Sequence, residues 1–103
     1  MSIEIMVSGN LATAPIERQS RGQGFLSFTM CTNLATEDGP AKQWFDVNVS
    51  GPLMVRASRL SKGDGVWCRG HVTLRRYVHK NEERTAWQMD CNELITDRET
   101  YTR

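Results

Sequence analysis

The stretch Val66-Trp67-Cys68-Arg69-Gly70-His71-Val72-Thr73-Leu74-Arg75-Arg76-Tyr77 decides the fold, because apolar or small residues alternate in it with polar and aromatic ones. Period-two alternation of this length is typical of a β-strand with one covered face. The even positions are expected to point into the protein: Val66, Cys68, Gly70, Val72 and Leu74. The odd positions are left on the opposite face, where they bring together Trp67, Arg69, His71, Thr73, Arg75 and Tyr77.

Alternation elsewhere predicts four further strands, over residues 3–8, 25–33, 43–50 and 85–94, besides the strand over 66–78. Gly51-Pro52 ends the third strand and starts a helix over residues 53–60, in which Leu53, Met54, Ala57 and Leu60 share one face. Residues 34–42 have the composition of a loop, and residues 79–84 that of a polar hairpin loop. Three strands, one short helix and two strands is the order of an all-β, five-stranded OB-fold, a Greek-key barrel with its helix between strands 3 and 4.

Length and composition predict one ordinary globular domain. The chain has 103 residues, of which 39% are hydrophobic and 24% charged. We expect the OB-fold domain over residues 1–95 and a short polar C-terminal extension over 96–103. No apolar run is long enough to span a membrane, and the N-terminus has no signal-peptide pattern, so we expect a cytoplasmic protein.

No motif predicts catalysis, a metal site or a cofactor. The three cysteines, Cys31, Cys68 and Cys91, are odd in number and widely spaced, which favours neither a disulfide framework nor a zinc site. His71 and His79 belong to no pattern that would make a nucleophile or a base. We therefore expect a binding protein rather than an enzyme.

Positive charge is concentrated in one segment, although the whole chain has a net charge of only +1. Residues 56–84 hold eight basic and three acidic side chains, whereas the segments on either side are net negative. Such a segment favours an anion-binding face. The alternative is a solvated surface with uneven charge.

Outward-facing tryptophans indicate what the anion is. Phe45, Val47 and Val49 of the third strand are expected to face inward, which leaves Trp44 outside, as the alternation leaves Trp67 outside. Exposed aromatic rings stack on the bases of single-stranded nucleic acid, while neighbouring arginines contact phosphates. The alternative is a subunit interface, where aromatic residues are also enriched. Trp87 shares its face with Met89 and Cys91 and is expected in the core.

Six short motifs in register resemble the bacterial single-stranded DNA-binding protein family, over about residues 3–94. They are Val7-Ser8-Gly9-Asn10-Leu11 with Pro15, Ile16 and Arg18; Gln43-Trp44-Phe45-Asp46-Val47; Arg59-Leu60-Ser61-Lys62-Gly63-Asp64; Val66-Trp67-Cys68-Arg69-Gly70-His71-Val72; Arg75-Arg76-Tyr77; and Glu83-Arg84-Thr85. The resemblance implies an OB-fold homo-oligomer, a dimer or tetramer, that binds single-stranded DNA without catalysis. It also implies that Trp44 and Tyr77 stack on bases, and that Arg18, Arg75 and Arg76 contact the backbone.

Together, the pattern and the resemblance predict ten residues that bind single-stranded DNA: Trp44, Trp67, Tyr77, Arg18, Arg69, Arg75, Arg76, Lys62, Lys80 and Arg84. The sequence departs from the family at Ser50, where an aromatic residue is expected, and in the loop over 34–42, where a tryptophan is absent. We also expect no acidic tail of the kind that recruits replication and repair enzymes. The chain is also similar to primosomal replication protein N, a tailless dimeric restart factor. A third alternative is an OB-fold protein-interaction subunit, and replication or restart proteins are the candidate partners.

Overall fold

Six strands and one short helix make up residues 2–96, the part of the chain that the structure, a computed structural model, describes. Their bounds are β1 Ile3–Leu11, β2 Ile16–Ser20, β3 Gln23–Thr36, β4 Gly39–Val49, α1 Leu53–Ala57, β5 Gly65–His79 and β6 Glu82–Thr96. Thr96, which was assigned to the C-terminal extension, still belongs to β6. The remainder of that extension, residues 97–103, lies outside the described residues.

Five of these strands close into a barrel. The sheet order is β1-β5-β6-β4-β3-β2, and β1 also pairs with β3 through Asn10↔Cys31 and Leu11↔Met30. The strand β2 pairs only with β3 and lies outside the closed ring, which is why the chain has one strand more than predicted. Since α1 lies between the third and fourth strands of the barrel, the predicted OB-fold is confirmed.

The inward face of the alternation forms the core. Val47, Val49, Met30, Met89 and Cys68 have no exposed surface. The helix packs its predicted apolar residues Ala57 and Leu60 against this core, with Leu53 and Met54 partly buried at its edge. Its regular turns end at Ala57 rather than at residue 60, and Leu60 reaches the core through a turn in which its N–H donates to the Ala57 carbonyl.

Two glycines allow strands of the barrel to approach closely. A Cβ atom on Gly9 would lie 2.2 Å from the Cys31 carbonyl oxygen, and one on Gly70 would lie 2.1 Å from the Asp90 carbonyl oxygen. Neither distance is sterically possible, so only glycine fits where β1 crosses β3 and where β5 crosses β6.

The segment over residues 34–42, predicted as a loop, is a β-hairpin instead, and the hairpin loop predicted over residues 79–84 is reduced to a two-residue turn. The β3–β4 ladder continues to Thr36↔Gly39, and the β5–β6 ladder continues to His79↔Glu82. The second hairpin closes with a two-residue turn in which Lys80 and Asn81 have φ values of 52° and 63°, the conformation of a tight hairpin turn. Turn-forming composition misled the prediction, because main-chain pairing does not depend on which polar side chains the strands carry. We call these projections the β3–β4 arm (residues 32–43) and the β5–β6 arm (residues 73–86).

The β5–β6 arm explains a wrong prediction of burial. Leu74 was expected in the core and is 52% exposed. It lies on the predicted face of β5, but in the arm, where both faces of the strand are exposed. Trp87 lies at the boundary: its ring stacks on Phe45 with centroids 5.8 Å apart, while 36% of its surface stays exposed.

The cysteines Cys68 and Cys91 are buried and face each other across β5 and β6. A hydrogen bond between the two side chains raises the pKa of Cys68 and lowers that of Cys91, and burial raises the pKa of Cys68 further. Cys68 is therefore a protonated core side chain rather than a reactive thiolate. Among the described residues, no helix is long and apolar enough to cross a membrane.

Candidate nucleic-acid interface

Trp44 and Trp67 both lie on the outer surface of the barrel, as predicted, with 52% and 44% of their surface exposed. The strand register connects them. Trp44 on β4 lies opposite Cys31 on β3, and Trp67 on β5 lies opposite Ser8 on β1. Because Cys31 also pairs with Asn10 of β1, the two tryptophans stand three strand spacings apart, about 14 Å along the same outer face.

A polar cleft of about 410 Å³ occupies the surface between them. Its lining includes Trp67, Cys31 and four polar side chains, which are Ser8, Asn10, Thr32 and Asn33. The Thr32 hydroxyl donates a hydrogen bond to the Ser8 carbonyl oxygen at 2.6 Å, which ties β3 to β1 at the floor of the cleft. We call this site the tryptophan cleft.

The β5–β6 arm continues the same outer face on the other side of Trp44. Phe45 pairs with Trp87, so the preceding residue Trp44 stands beside Ala86 of β6. Ala86 in turn lies opposite Arg75, and Tyr77 follows two residues later on the same face. The register therefore brings Trp44, Arg75 and Tyr77 together, as the sequence predicted.

The predicted cations on this face differ in whether they form ion pairs with carboxylates. Arg75 forms no ion pair with any residue in the range 2–96. Arg69, by contrast, lies between two carboxylates, 3.5 Å from Glu4 and 2.7 Å from Glu93. Its charge is already balanced, so it is a poorer candidate for a phosphate contact than Arg75.

Three more predicted residues border the face. Arg84 lies opposite Tyr77 on the β5–β6 arm and contacts Glu82 at 3.2 Å. Lys80 stands in the turn at the tip of the arm. Lys62 belongs to the turn that follows α1, which is fixed beside the tryptophan cleft because the Asn10 amide donates to the Gly63 carbonyl oxygen at 3.0 Å.

Two predicted residues lie elsewhere. Arg76 projects from the opposite side of the β5–β6 arm to Arg75, and its guanidinium is 3.9 Å from Glu83. Arg18 lies on β2, opposite Phe25, beyond the Leu26↔Val49 end of the β3–β4 ladder and six residues along β3 from the partner of Trp44. Adjacent arginines in a strand necessarily point to opposite faces, and only the register shows how far β2 is from the tryptophan cleft.

Two residues of the β3–β4 arm belong to this face and were not predicted. Asn33 and Lys42 are opposite each other on the outer face, beside Cys31 and Trp44. Lys42 adds a cation next to the exposed tryptophan. The alternation Lys42-Gln43-Trp44 carried this signal, but the turn-forming residues before it concealed the start of the strand. The described residues contain no cluster of side chains that could hold a metal ion.

A closed five-stranded barrel with aromatic and basic side chains on its outer face defines a nucleic-acid-binding OB-fold. The family model of the single-strand binding protein family matches residues 3–95, and the chain belongs to this family. The fold is similar to the crystal structure of a small single-stranded DNA-binding protein from Streptomyces coelicolor, with a TM-score of 0.77, 24% identity and coverage of 96% of this chain and 97% of that chain. No curated protein sequence matches the chain.

Membership of this family confirms the resemblance that the six motifs predicted. It also confirms that the chain is a binding protein and not an enzyme. The similarity to primosomal replication protein N stays a prediction.

Proposed function

We propose that the protein binds single-stranded DNA without strong sequence preference. The observation that carries the proposal is the outer face on which Trp44, Trp67 and Tyr77 stand exposed beside Arg75, which has no ion pair within residues 2–96. Bases stack on the three rings, and the cations that border the face contact phosphates. Duplex DNA hides the faces of its bases, so this arrangement suits a single strand.

The cations of the proposed site fall into two groups. Arg75, Lys62 and Lys80 are free to contact phosphates, whereas Arg69 and Arg84 must first share or leave their carboxylate partners. Arg18 and Arg76 join the site only if the strand wraps beyond the face that carries the tryptophans. The DNA-binding role serves replication, recombination or repair in the cytoplasm, where single strands arise.

We also propose that the protein is a homo-oligomer. On its outer edge, β1 pairs with β3 only at Asn10 and Leu11, so residues 3–7 have no second strand partner among the described residues. Ile3 and Met6 are exposed beside this edge. An open edge with apolar neighbours favours pairing with a second copy through a two-fold axis. Sedimentation analysis tests this: a mass of one chain at micromolar concentration would contradict it.

The direct test of DNA binding is a titration with a poly-thymidine oligonucleotide, followed by tryptophan fluorescence at low and at high salt. We expect quenching, because stacking on Trp44 and Trp67 changes their emission. We also expect affinity to fall with salt, since phosphate contacts release counterions. Absence of binding at low salt would favour the protein-interaction subunit instead.

The variant with both Trp44→Ala and Tyr77→Ala tests the site. We expect it to lose about 2–6 kcal/mol of binding free energy, because each aromatic ring contributes about 1–3 kcal/mol per stacked base. Val55→Ala is the matched control, since Val55 is an exposed apolar residue on α1, away from the proposed site. Circular dichroism checks that both variants fold. A folded double variant with unchanged affinity would contradict the assignment of the site.

The dimeric restart factor remains the second candidate, and it shares the DNA-binding face. The two candidates differ in the assembly they form and in their partners. The mass measured by sedimentation therefore separates a dimer from the tetramer that is usual in the single-strand binding family.

A further inference from the structure

A second cleft, of about 600 Å³, lies on the same outer surface at the Leu26↔Val49 end of the β3–β4 ladder, whereas Trp44 lies in the middle of that ladder. Phe25, Asn48, Ser50, Asp90 and Arg21 are among its lining residues. None of these five residues was predicted to bind DNA. The cleft is assembled from the turn after β2, the start of β3, the end of β4 and the middle of β6.

The register places the side chains of this cleft on one face. Asn48 of β4 lies opposite Ser27 of β3 and beside Asp90 of β6. Phe25 follows the same outward alternation as Ser27, so its half-buried ring stands on the outside of the barrel. Ser50 is small, and it leaves the space next to that ring open.

The polar groups of the cleft have hydrogen-bonding capacity to spare. Within residues 2–96, neither the Asn48 amide nor the Asp90 carboxylate has a side-chain hydrogen bond or an ion pair. The guanidinium groups of Arg21 and Arg18 likewise have no ion pair in this range, and Arg18 lies directly opposite Phe25. An aromatic face, two hydrogen-bonding edge groups and two cations are the groups that bind a base and its phosphates.

The cleft is continuous with the proposed DNA-binding face. Trp44 lies opposite Cys31, and Cys31 is six residues from Phe25 along β3, which corresponds to about 20 Å. Asp46 and Thr29 lie between them and hydrogen-bond to each other at 3.1 Å. A single strand that leaves the tryptophan cleft along β4 therefore reaches Phe25 next.

We propose that this cleft, which we call the Phe25 cleft, binds a base of the same single strand and favours bases with an exocyclic amino group. The Asp90 carboxylate accepts a hydrogen bond from the amino group of cytosine or adenine but repels the O4 oxygen of thymine. The Phe25 ring stacks on the base, and Arg18 and Arg21 contact the adjoining phosphates. The proposal rests on the proposed single-stranded DNA binding and adds a base preference to it.

The first test compares oligo-deoxycytidine with oligo-thymidine of about 16 nucleotides, the upper site size of one OB-fold. The measured quantity is the ratio of the two affinities, because the ratio cancels the general effect of removing a negative charge. We expect Asp90→Asn to lower the cytidine-to-thymidine ratio by at least about fivefold, the loss of one discriminating contact. The control Asp38→Asn makes the same change in the β3–β4 turn and should leave the ratio unchanged.

The second test replaces Phe25 by leucine, which keeps an apolar side chain and removes the stacking surface. We expect Phe25→Leu to lose at least about fivefold in affinity for the long oligonucleotides and nothing for oligomers of about 5 nucleotides, which the tryptophan cleft holds alone. If this variant proves unstable by thermal melting, the Asp90→Asn comparison still decides, since Asp90 is an exposed residue.

The outcomes separate the two proposals. If the unmodified protein binds no oligonucleotide, the proposed function fails. If it binds and the variant Trp44→Ala with Tyr77→Ala loses affinity, but Asp90→Asn behaves like Asp38→Asn, the Phe25 cleft is overturned and the proposed function stands. A changed base ratio together with a length-dependent loss in Phe25→Leu supports the cleft.

Discussion

The barrel half of β5, residues 65–72, and its arm half, residues 73–79, are one continuous strand with one alternation, yet their surroundings differ. In the barrel half, Val66, Cys68 and Val72 are buried, and their outward neighbours face solvent. In the arm half both faces are exposed, including Leu74 and Val78. Alternation thus determines which face a side chain lies on, whereas burial depends on what the rest of the chain places against that face.

The largest expected effect comes from the barrel half. Gly70→Ala places a Cβ atom 2.1 Å from the Asp90 carbonyl oxygen, so β5 and β6 must move apart. We expect the free energy of unfolding, measured by urea denaturation, to fall by about 3 kcal/mol, the upper range for overpacking.

Gly24→Ala is the matched control for this prediction. A Cβ atom there would have its nearest neighbour at 3.8 Å, an ordinary contact, and Gly24 does not have a positive φ. We expect its stability to stay constant or to rise slightly, since alanine loses less chain entropy in a strand than glycine does. Equal stability for Gly70→Ala and Gly24→Ala would show that the barrel has room between β5 and β6.

The second prediction compares the two halves through one substitution. Val72→Ala in the barrel half removes two buried carbon atoms and leaves a cavity, so we expect a loss of about 2 kcal/mol in the free energy of unfolding. Val78→Ala in the arm half changes a residue that is 73% exposed, and we expect a change within about 0.5 kcal/mol. A loss from Val78→Ala as large as that from Val72→Ala would mean that the arm is covered in solution, as it would be in an oligomer.

The same comparison shows how much of the fold could be predicted from the sequence. The inward positions Phe45, Val47 and Val49 and the outward Trp44 and Trp67 followed from alternation alone, because a barrel covers one face of each strand. The length of the arms did not follow, since a polar residue such as Thr36 is as typical of a loop as of an exposed strand. The prediction that Leu74 is buried was wrong because alternation does not show where the barrel ends and the arm begins.

The candidate site was predictable only in part. Tryptophan is easily recognised on an outward face, so the exposed positions of Trp44 and Trp67 were predicted correctly, whereas their contact with DNA stays a prediction. Phe25 and Asp90 were not found, because the Phe25 cleft forms only when four segments distant in the chain meet. Ion pairs could not be predicted from the sequence either. Only the structure shows that Arg69 pairs with Glu4 and Glu93.

The smallest expected effect separates the two faces of the arm half. Arg75 and Arg76 are adjacent, and either change to glutamine removes one positive charge, but Arg75 shares its face with Tyr77 and Trp44 whereas Arg76 lies on the other side with Glu83. We expect Arg75→Gln to reduce the slope of log affinity against log salt by about 0.7, the value for one phosphate contact with a single strand. Arg76→Gln should leave the slope unchanged.

The salt series is measured with the same poly-thymidine oligonucleotide at several salt concentrations. Equal reductions for Arg75→Gln and Arg76→Gln would mean that DNA contacts both faces of the arm, or that only its net charge matters. No reduction for either would move the phosphate contacts away from the arm, towards Lys42 and Lys62 around the tryptophan cleft. A reduction for Arg75→Gln alone assigns the DNA backbone to the face that carries Tyr77. In that case alternation predicts function in this half of β5, although it does not predict burial there.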